Sequence, residues 1–112
     1  MKYAFLLYED EDRFAALSEA EQGALIGEHF AYVEVLVAAG ALVEGEPLDH
    51  TSNGRRIRGA RIEDGPFADS KHQIGGYYVI EAANLDAAIE WAARCPSARD
   101  GVVEIRPLKS FS

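Results

Sequence analysis

The sequence contains a single cysteine, Cys95, in 112 residues. One cysteine cannot form an internal disulfide, and no Cys-x-x-Cys pair or Cys/His spacing is present to bind zinc. Basic residues are also scarce, because eleven lysines and arginines stand against nineteen aspartates and glutamates, for a formal charge of −8. This charge repels nucleic-acid phosphates and anionic membrane surfaces. We therefore expect a cytoplasmic protein that has no metal or other cofactor and binds neither nucleic acid nor membrane.

Long apolar runs are missing as well. No stretch approaches the roughly 20 apolar residues that a membrane-spanning helix needs. The apolar run at the N-terminus meets acidic residues at Glu9 and is too short for a signal peptide, so we interpret it as a strand. The composition, 48% hydrophobic and 27% charged, is typical of a globular protein. The length predicts one domain over residues 1–112.

Alternating or short apolar runs predict four strands, at residues 2–8, 41–48, 77–80 and 101–107. An arginine-rich segment at residues 55–62 has too few apolar positions for a central strand. We interpret this segment as a small peripheral hairpin inserted between the second and third strands.

Two helices are predicted, one between the first and second strands and one between the third and fourth. The first begins at Ser18, which precedes Glu21 by the three residues of a capping box, and ends near Gly40. The second is capped by Asn84 and stopped at Pro96. One apolar arc of the first helix, about 140° wide, is expected to pack on the sheet. The arc contains Leu25, Ile26, Phe30, Val33, Leu36 and Val37.

The order of elements predicts the α+β class, as a ferredoxin-like βαββαβ fold with a hairpin insertion. Both helices then cover one face of a four-stranded antiparallel sheet. The strands at residues 2–8 and 77–80 are apolar on both faces, however, and no part of the chain is left to cover the second face. A second copy of the chain is the simplest cover, so we expect a homodimer.

Residues 64–67 (Asp-Gly-Pro-Phe) and 75–78 (Gly-Gly-Tyr-Tyr) resemble the signature of the YCII-related proteins, specifically the DGPF-domain branch. The similarity extends to residues 2–8, 85–96 and 103–107, and so covers essentially the whole chain. This resemblance implies a dimeric α/β barrel of ferredoxin-like protomers.

The resemblance implies no settled activity. A His/Asp active site is proposed for some members of the family, a dehydrochlorinase is among the relatives, and one branch is associated with extracytoplasmic-function sigma factors. The chain departs from the branch at His72, which stands where an acidic residue is more usual.

His29 lies within the apolar arc of the first helix. It is either a structural imidazole at the edge of the core or a general acid or base, since its pKa is near physiological pH. The His/Asp pair of the family favours the second interpretation, with Asp64 as the carboxylate. Asp64 has its own structural explanation, because Asp-Gly-Pro is an ordinary turn sequence.

Three further residues are candidate ligand-binding groups. Lys71 and Gln73 follow Asp64 in the same loop, and together they offer a cation, an amide and a carboxylate to a small polar or anionic ligand. Arg106 alternates with Glu104 on one face of the last strand, where the two either pair with each other or line a pocket.

Four arginines in the inserted hairpin concentrate positive charge in an acidic chain. They either solvate an exposed edge or form a gate for carboxylate or phosphate groups. The former is more typical of charge runs. These residues are Arg55, Arg56, Arg58 and Arg61.

Two main functions fit this sequence. The first is a cofactor-independent enzyme in which His29 moves a proton and Asp64 orients it. The second is a non-catalytic module that binds a small molecule or a regulatory protein through the same pocket. An inert assembly partner is a third possibility.

Overall fold

A four-stranded antiparallel sheet supports the rest of the chain. In the computed structural model, which describes residues 1–111, its strands lie in the order β2-β5-β1-β6. This arrangement confirms the predicted α+β class and is consistent with a ferredoxin-like fold. The strands are β1 (Lys2–Asp10), β2 (Leu42–Pro47), β5 (His72–Glu81) and β6 (Val102–Pro107).

Four α-helices, a 3₁₀ helix (Thr51–Asn53) and a separate hairpin are the other regular elements of the described residues. The two longer helices are α2 (Glu19–Ala38) and α3 (Leu85–Ala93), and two short ones are α1 (Glu11–Ala16) and α4 (Ser97–Asp100). The predicted hairpin is formed by β3 (Arg55–Arg58) and β4 (Arg61–Asp64), which make their own two-stranded sheet. None of the helices within residues 1–111 is long and apolar enough to cross a membrane.

The predicted helix starts are confirmed. Ser18 Oγ accepts a hydrogen bond from the Glu21 amide at 3.1 Å, while Glu21 Oε1 accepts one from the Ser18 amide at 3.0 Å. Asn84 Oδ1 accepts from the Ala87 amide at 2.9 Å. Each bond satisfies an amide that has no partner within its own helix.

The two short helices were not predicted. Asp10 ends β1 and caps α1, because its carboxylate accepts from the amides of Asp12 and Arg13. Arg13 then reaches α4, where its Nη2 lies 3.3 Å from Asp100 Oδ1. The acidic residues Asp10, Glu11 and Asp12 therefore form the start of a helix. This helix lies at one end of the sheet.

The core lies between the sheet and the longer helices. Tyr3, Phe5 and Leu7 of β1 point to this side and are buried. Tyr32 of α2 is buried with them, and its hydroxyl donates to the Trp91 carbonyl at 2.7 Å. That bond satisfies the one polar atom of this side chain, which makes its burial inexpensive.

The predicted apolar arc of α2 is only partly correct. Leu36 is fully buried, and Leu25 and Val33 are half-buried. Phe30 and Val37, in contrast, are 68% and 60% exposed, and Ile26 is exposed as well. The helix is apolar on nearly all sides, so periodicity alone could not fix its rotation. Tyr32, which lay outside the predicted arc, faces the core instead.

The neighbouring residues Leu36 and Val37 test this rotation. We expect Leu36→Ala to lower the free energy of unfolding by about 2–5 kcal/mol, because it leaves a cavity in the core. Val37→Ala should change it by less than about 0.5 kcal/mol, because Val37 is largely in solvent. Urea denaturation measures both. Equal losses for the two variants would show that the rotation is wrong.

Candidate functional site

A cavity of about 260 Å³ opens at the end of the sheet, between α1, α2, α4 and the last residues of β1. Apolar side chains form part of its wall, among them Phe14, Leu17 and Leu25. His29 and Ser97 line it as well. A mostly apolar cavity with a few convergent polar groups is the usual form of a small-molecule site.

Three polar residues of the lining, Glu9, Ser97 and His29, belong to a series of four hydrogen-bonded side chains, and the fourth, Tyr78, bonds His29 from outside the lining. Ser97 Oγ donates to Glu9 Oε1 at 2.9 Å. His29 Nε2 lies 3.4 Å from Ser97 Oγ, and His29 Nδ1 lies 3.0 Å from the Tyr78 hydroxyl. The chain therefore runs from Tyr78 through His29 and Ser97 to Glu9.

The position of one proton in this chain determines the others. Ser97 has a single hydroxyl hydrogen, and it is donated to Glu9. Ser97 Oγ can then only accept from His29 Nε2, so Nε2 carries the imidazole hydrogen. His29 Nδ1 is left as an acceptor for the Tyr78 hydroxyl. In this arrangement every donor has one acceptor.

Four separate elements bring these side chains together. Tyr78 lies on the helix-facing side of β5, and His29 lies on the sheet-facing side of α2. Ser97 begins α4 directly after Pro96 and is only 4% exposed. Glu9 faces the same wall because it continues the alternation of Tyr3, Phe5 and Leu7 along β1.

Gly75 leaves the space that the Glu9 carboxylate occupies. A β-carbon at this position would lie 2.8 Å from Glu9 Oε2, closer than non-bonded atoms approach. Any larger residue would therefore displace the carboxylate that accepts from Ser97. This close approach gives the first glycine of the Gly-Gly pair a role in the site.

Burial keeps His29 and Tyr78, the two ring side chains of the hydrogen-bonded series, neutral. Desolvation lowers the pKa of His29, and this effect outweighs the opposing attraction of the Glu9 and Glu28 carboxylates. Desolvation also raises the pKa of Tyr78 to about 12. At neutral pH the imidazole is uncharged, and two carboxylates nearby would stabilise its protonated form.

Ion pairs neutralise the arginines at the cavity mouth. Arg99 Nη2 lies 2.8 Å from Glu28 Oε2, and Arg99 Nε lies 3.1 Å from Asp100 Oδ2. Arg13 pairs with the other oxygen of the same aspartate, Asp100. Both arginines of the lining thus already have carboxylate partners.

The structure does not bring His29 and Asp64 together. Asp64 ends β4 in the peripheral hairpin, its side chain is 89% exposed, and it pairs with Arg55 at 3.1 Å. The hydrogen bonds of His29 go to Tyr78 and Ser97 instead. The carboxylate that the hydrogen bonds connect to His29, through Ser97, is that of Glu9.

The predicted loop cluster is not formed either. Lys71 Nζ extends to Asp10 Oδ2 at 3.4 Å, at the edge of the cavity. Gln73 Nε2 donates to the carbonyls of Ala68 and Ser70 at 2.7 and 2.8 Å, which closes its own loop. Neither side chain meets Asp64.

Arg106 lies away from the cavity. It is on β6, and its Nη1 is 3.5 Å from Glu104 Oε2. Glu104 Oε1 in turn accepts from the Tyr8 hydroxyl at 3.0 Å. The three residues form a polar group on the sheet face opposite the helices, where Glu104 lies beside Leu6.

Three residues of the site were missed by the sequence analysis. Glu9 was interpreted only as the acidic end of an apolar run, and Tyr78 only as an apolar strand residue. Ser97 follows the predicted helix stop and belonged to no motif. Two signals were available: Glu9 continues the alternation of Tyr3, Phe5 and Leu7 along the first strand, and Gly75 marks a close approach of another group. Among residues 1–111, no group of three or more His, Cys, Asp or Glu side chains is arranged to hold a metal ion.

Comparison with known proteins gives a relationship over the full chain. The profile of the family described as YCII-related domain matches residues 1–112. An uncharacterised protein of Rhizobium meliloti strain 1021 is 35% identical over 117 residues, covering 99% of this chain and 94% of the relative.

A solved structure shares the fold. It is the 5-chloro-2-hydroxyhydroquinone dehydrochlorinase of Burkholderia phenoliruptrix AC1100 in complex with 2,5-dihydroxybenzoquinone. The TM-score is 0.60 at 16% identity, over 97% of this chain and 94% of the other. At this identity the similarity establishes the architecture alone.

The lowered pKa of His29 predicts a pH-dependent stability. Below its usual pKa of 6.5 the unfolded chain binds a proton that the folded chain does not, so the free energy of unfolding should fall as the pH drops from about 7.5 to about 5.5. His29→Gln should remove much of this slope, whereas His72→Gln, at an exposed position, should retain it. Chemical denaturation at each pH measures the effect. A slope unchanged by His29→Gln would contradict the assignment.

Gly75→Ala should disturb the site while the protein stays folded. The added methyl group meets the flexible end of the Glu9 side chain, which can move, so we expect a small loss of stability. The Ser97–Glu9 hydrogen bond should nevertheless be lost. A crystal structure of the variant checks this, and an unmoved Glu9 carboxylate would contradict it.

Proposed function

The chain belongs to the YCII-related domain family, and we propose that it is a cofactor-independent acid–base enzyme that acts on a small, uncharged, polar substrate. His29 is the proposed base, with Tyr78, Ser97 and Glu9 in supporting roles. The observation that carries the proposal is the continuous series of hydrogen bonds that places His29, Ser97 and Glu9 in the cavity wall.

The contact between His29 and Ser97 is the point at which a substrate can enter the chain. At 3.4 Å it is the longest of the three hydrogen bonds, so a substrate hydroxyl can replace it at little cost. The Tyr78 hydroxyl can either donate or accept. When it accepts from Nδ1–H, Nε2 is free to take a proton from the substrate.

The surrounding charges favour this proton transfer. The resting imidazole is neutral, because desolvation lowers its pKa. Once it is protonated, Glu9 and Glu28 attract the positive charge. A neutral base whose conjugate acid is stabilised can pass the proton on to another atom of the same substrate.

The ion pairs at the cavity mouth support an uncharged substrate. Arg13 and Arg99 are paired with Asp100 and Glu28, so an anionic substrate would have to compete with these carboxylates. An anion would also approach the Glu9 carboxylate. We therefore favour a neutral hydroxylated compound over the anionic alternative that the sequence allowed.

The structural relative suggests a hydroxylated aromatic ring as the first substrate to test. Ring hydroxyls are weak acids, and deprotonation of one allows a proton to be added at a ring carbon. His29 can carry out both steps by taking the hydroxyl proton and returning it to carbon. The net change is a tautomerisation, which needs neither an oxidant nor a metal.

Deuterium exchange measures this chemistry directly. In D₂O without oxygen, the protein should accelerate deuterium incorporation into the ring carbons of 2-hydroxyhydroquinone, followed by ¹H NMR. His29→Ala should reduce the acceleration by about 100-fold or more, and Tyr78→Phe by less.

The matched control is His50→Ala, which alters a histidine outside the cavity lining and should leave exchange unchanged. Binding of the compound without any exchange would favour the non-catalytic binding module. Exchange that survives His29→Ala would exclude His29 as the base.

We also propose that the protein is a homodimer formed through the open face of the sheet, the face opposite the helices. On β1 this face presents Leu6. On β5 it presents Tyr77, which pairs with Leu6, and Val79, which lies beside that pair. All three are only half-buried in the single chain. Covering such a patch removes apolar surface from water.

Leu6→Glu should disrupt this dimer. The variant would place a charge in the centre of the interface, where an unpaired buried charge costs several kcal/mol. Light scattering of the unmodified protein should give about twice the 12.2 kDa chain mass, and Leu6→Glu should give one chain mass. Val37→Glu, on the exposed side of α2, is the control and should remain dimeric. A wild-type protein that is monomeric at micromolar concentration would contradict the proposal.

A further inference from the structure

The hairpin formed by β3 and β4, residues 55–64, is called the arm. Its strands pair only with each other, with Ile57 opposite Ile62 and Arg58 opposite Arg61. Gly59, at a φ of 62°, forms the turn between them. The arm is thus a complete structural unit that is not part of the main sheet.

The arm is held rigidly. Arg56 Nη1 donates to the carbonyls of Asp64 and Pro66 at 2.6 and 3.1 Å, which joins the two strands to the turn that follows. The turn that precedes the arm is tied to the body, because the Thr51 amide donates to Glu11 Oε2 at 2.9 Å. A rigid element loses little conformational entropy when it binds another surface.

Each face of the arm carries one internal ion pair, Arg55–Asp64 or Arg56–Glu63, but the outer half of each face is left without a carboxylate or core partner matched to it. On one face, Ile57 and Ile62 are 73% and 74% exposed. On the other, Arg58 and Arg61 are directly opposite each other, and like charges in this position are destabilising. Arg58 lies over the exposed Phe67 ring. Arg61 approaches only Glu63, at 3.5 Å.

The arm and the body have opposite charges. The arm contains four arginines and two carboxylates and so has a net charge of +2. Because the whole chain has a net charge of −8, the rest of the chain has a net charge of −10. A chain with a basic arm and an acidic body is complementary to a second copy of itself. In a two-fold dimer each arm can contact the body of the partner.

We infer that each arm docks on the acidic strand β2 of the second subunit. β2 carries Glu44 and Glu46, both exposed, and no basic residue. These glutamates pair with Val79 and Tyr77 in the ladder, so they border the open face through which we propose the dimer forms. The inference rests on that proposed dimer and is independent of the proposed chemistry.

A charge exchange between two chains tests this docking. The first variant, Arg58→Glu with Arg61→Glu, has an acidic arm and an acidic β2. The second, Glu44→Lys with Glu46→Lys, has a basic arm and a basic β2. Each homodimer should dissociate at least about 10-fold more readily than wild type, because like charges meet.

When the two variants are mixed, each arm meets a β2 of opposite charge. Sedimentation equilibrium should then show a heterodimer whose dissociation constant is close to that of the wild type. Asp86→Lys with Glu90→Lys, on α3, is the control for the second variant. Mixed with the acidic-arm variant, it leaves one acidic arm facing an acidic β2, so the heterodimer should stay weaker than the wild-type dimer. Circular dichroism establishes that each variant is folded.

Each of the other outcomes would overturn a specific part of the proposal. Variants that dimerise like wild type would overturn the arm contact and leave the dimer in place. Weakened homodimers that mixing does not restore would overturn the assignment to β2. A monomeric wild-type protein would overturn the dimer and the arm contact together, while the deuterium exchange assay would still test the proposed chemistry.

Discussion

The hydrogen bond from Ser97 Oγ to Glu9 Oε1 fixes the arrangement on which the site depends. It joins α4 to the end of β1, and it sets the direction of every other hydrogen bond in the cavity wall. Because Ser97 donates to Glu9, His29 must donate to Ser97 and accept from Tyr78. Gly75 allows this geometry, since a side chain there would occupy the position of the Glu9 carboxylate.

The charges of this small protein are separated into distinct regions. At the cavity mouth, Arg13 and Arg99 are neutralised by Asp100 and Glu28, which leaves a buried neutral imidazole beside carboxylates. On the arm, Arg55, Arg56 and Arg61 approach carboxylates within the same hairpin, and Arg58 lies over the Phe67 ring. A cation used to hold an anionic substrate would have been expected in the cavity. The net charge of +2 on the hairpin is better explained by contact with another acidic surface.

Local signals in the sequence predicted most of the fold. The capping residues Ser18 and Asn84 fixed both long helices, because their side chains bond amides only a few residues away. The rotation of α2 was not predictable, because the helix is apolar on nearly all sides and tertiary packing decides between Tyr32 and Phe30. The partner of His29 was not predictable either. Its direct partners, Tyr78 and Ser97, lie on β5 and α4, and only tertiary packing brings these two elements to the imidazole.

The protonation of His29 tests the account most directly, and ¹⁵N NMR of the imidazole measures it. We expect two well-separated nitrogen shifts at neutral pH, with the hydrogen on Nε2 and none on Nδ1, and a titration midpoint below 6.5. Ser97→Ala should abolish the preference for Nε2–H, because it removes the only acceptor of that hydrogen in the chain of four side chains. A charged imidazole at neutral pH would contradict the proposed role of His29 as the base, and a hydrogen fixed on Nδ1 in the resting protein would contradict the hydrogen-bond directions set by Ser97 and Glu9.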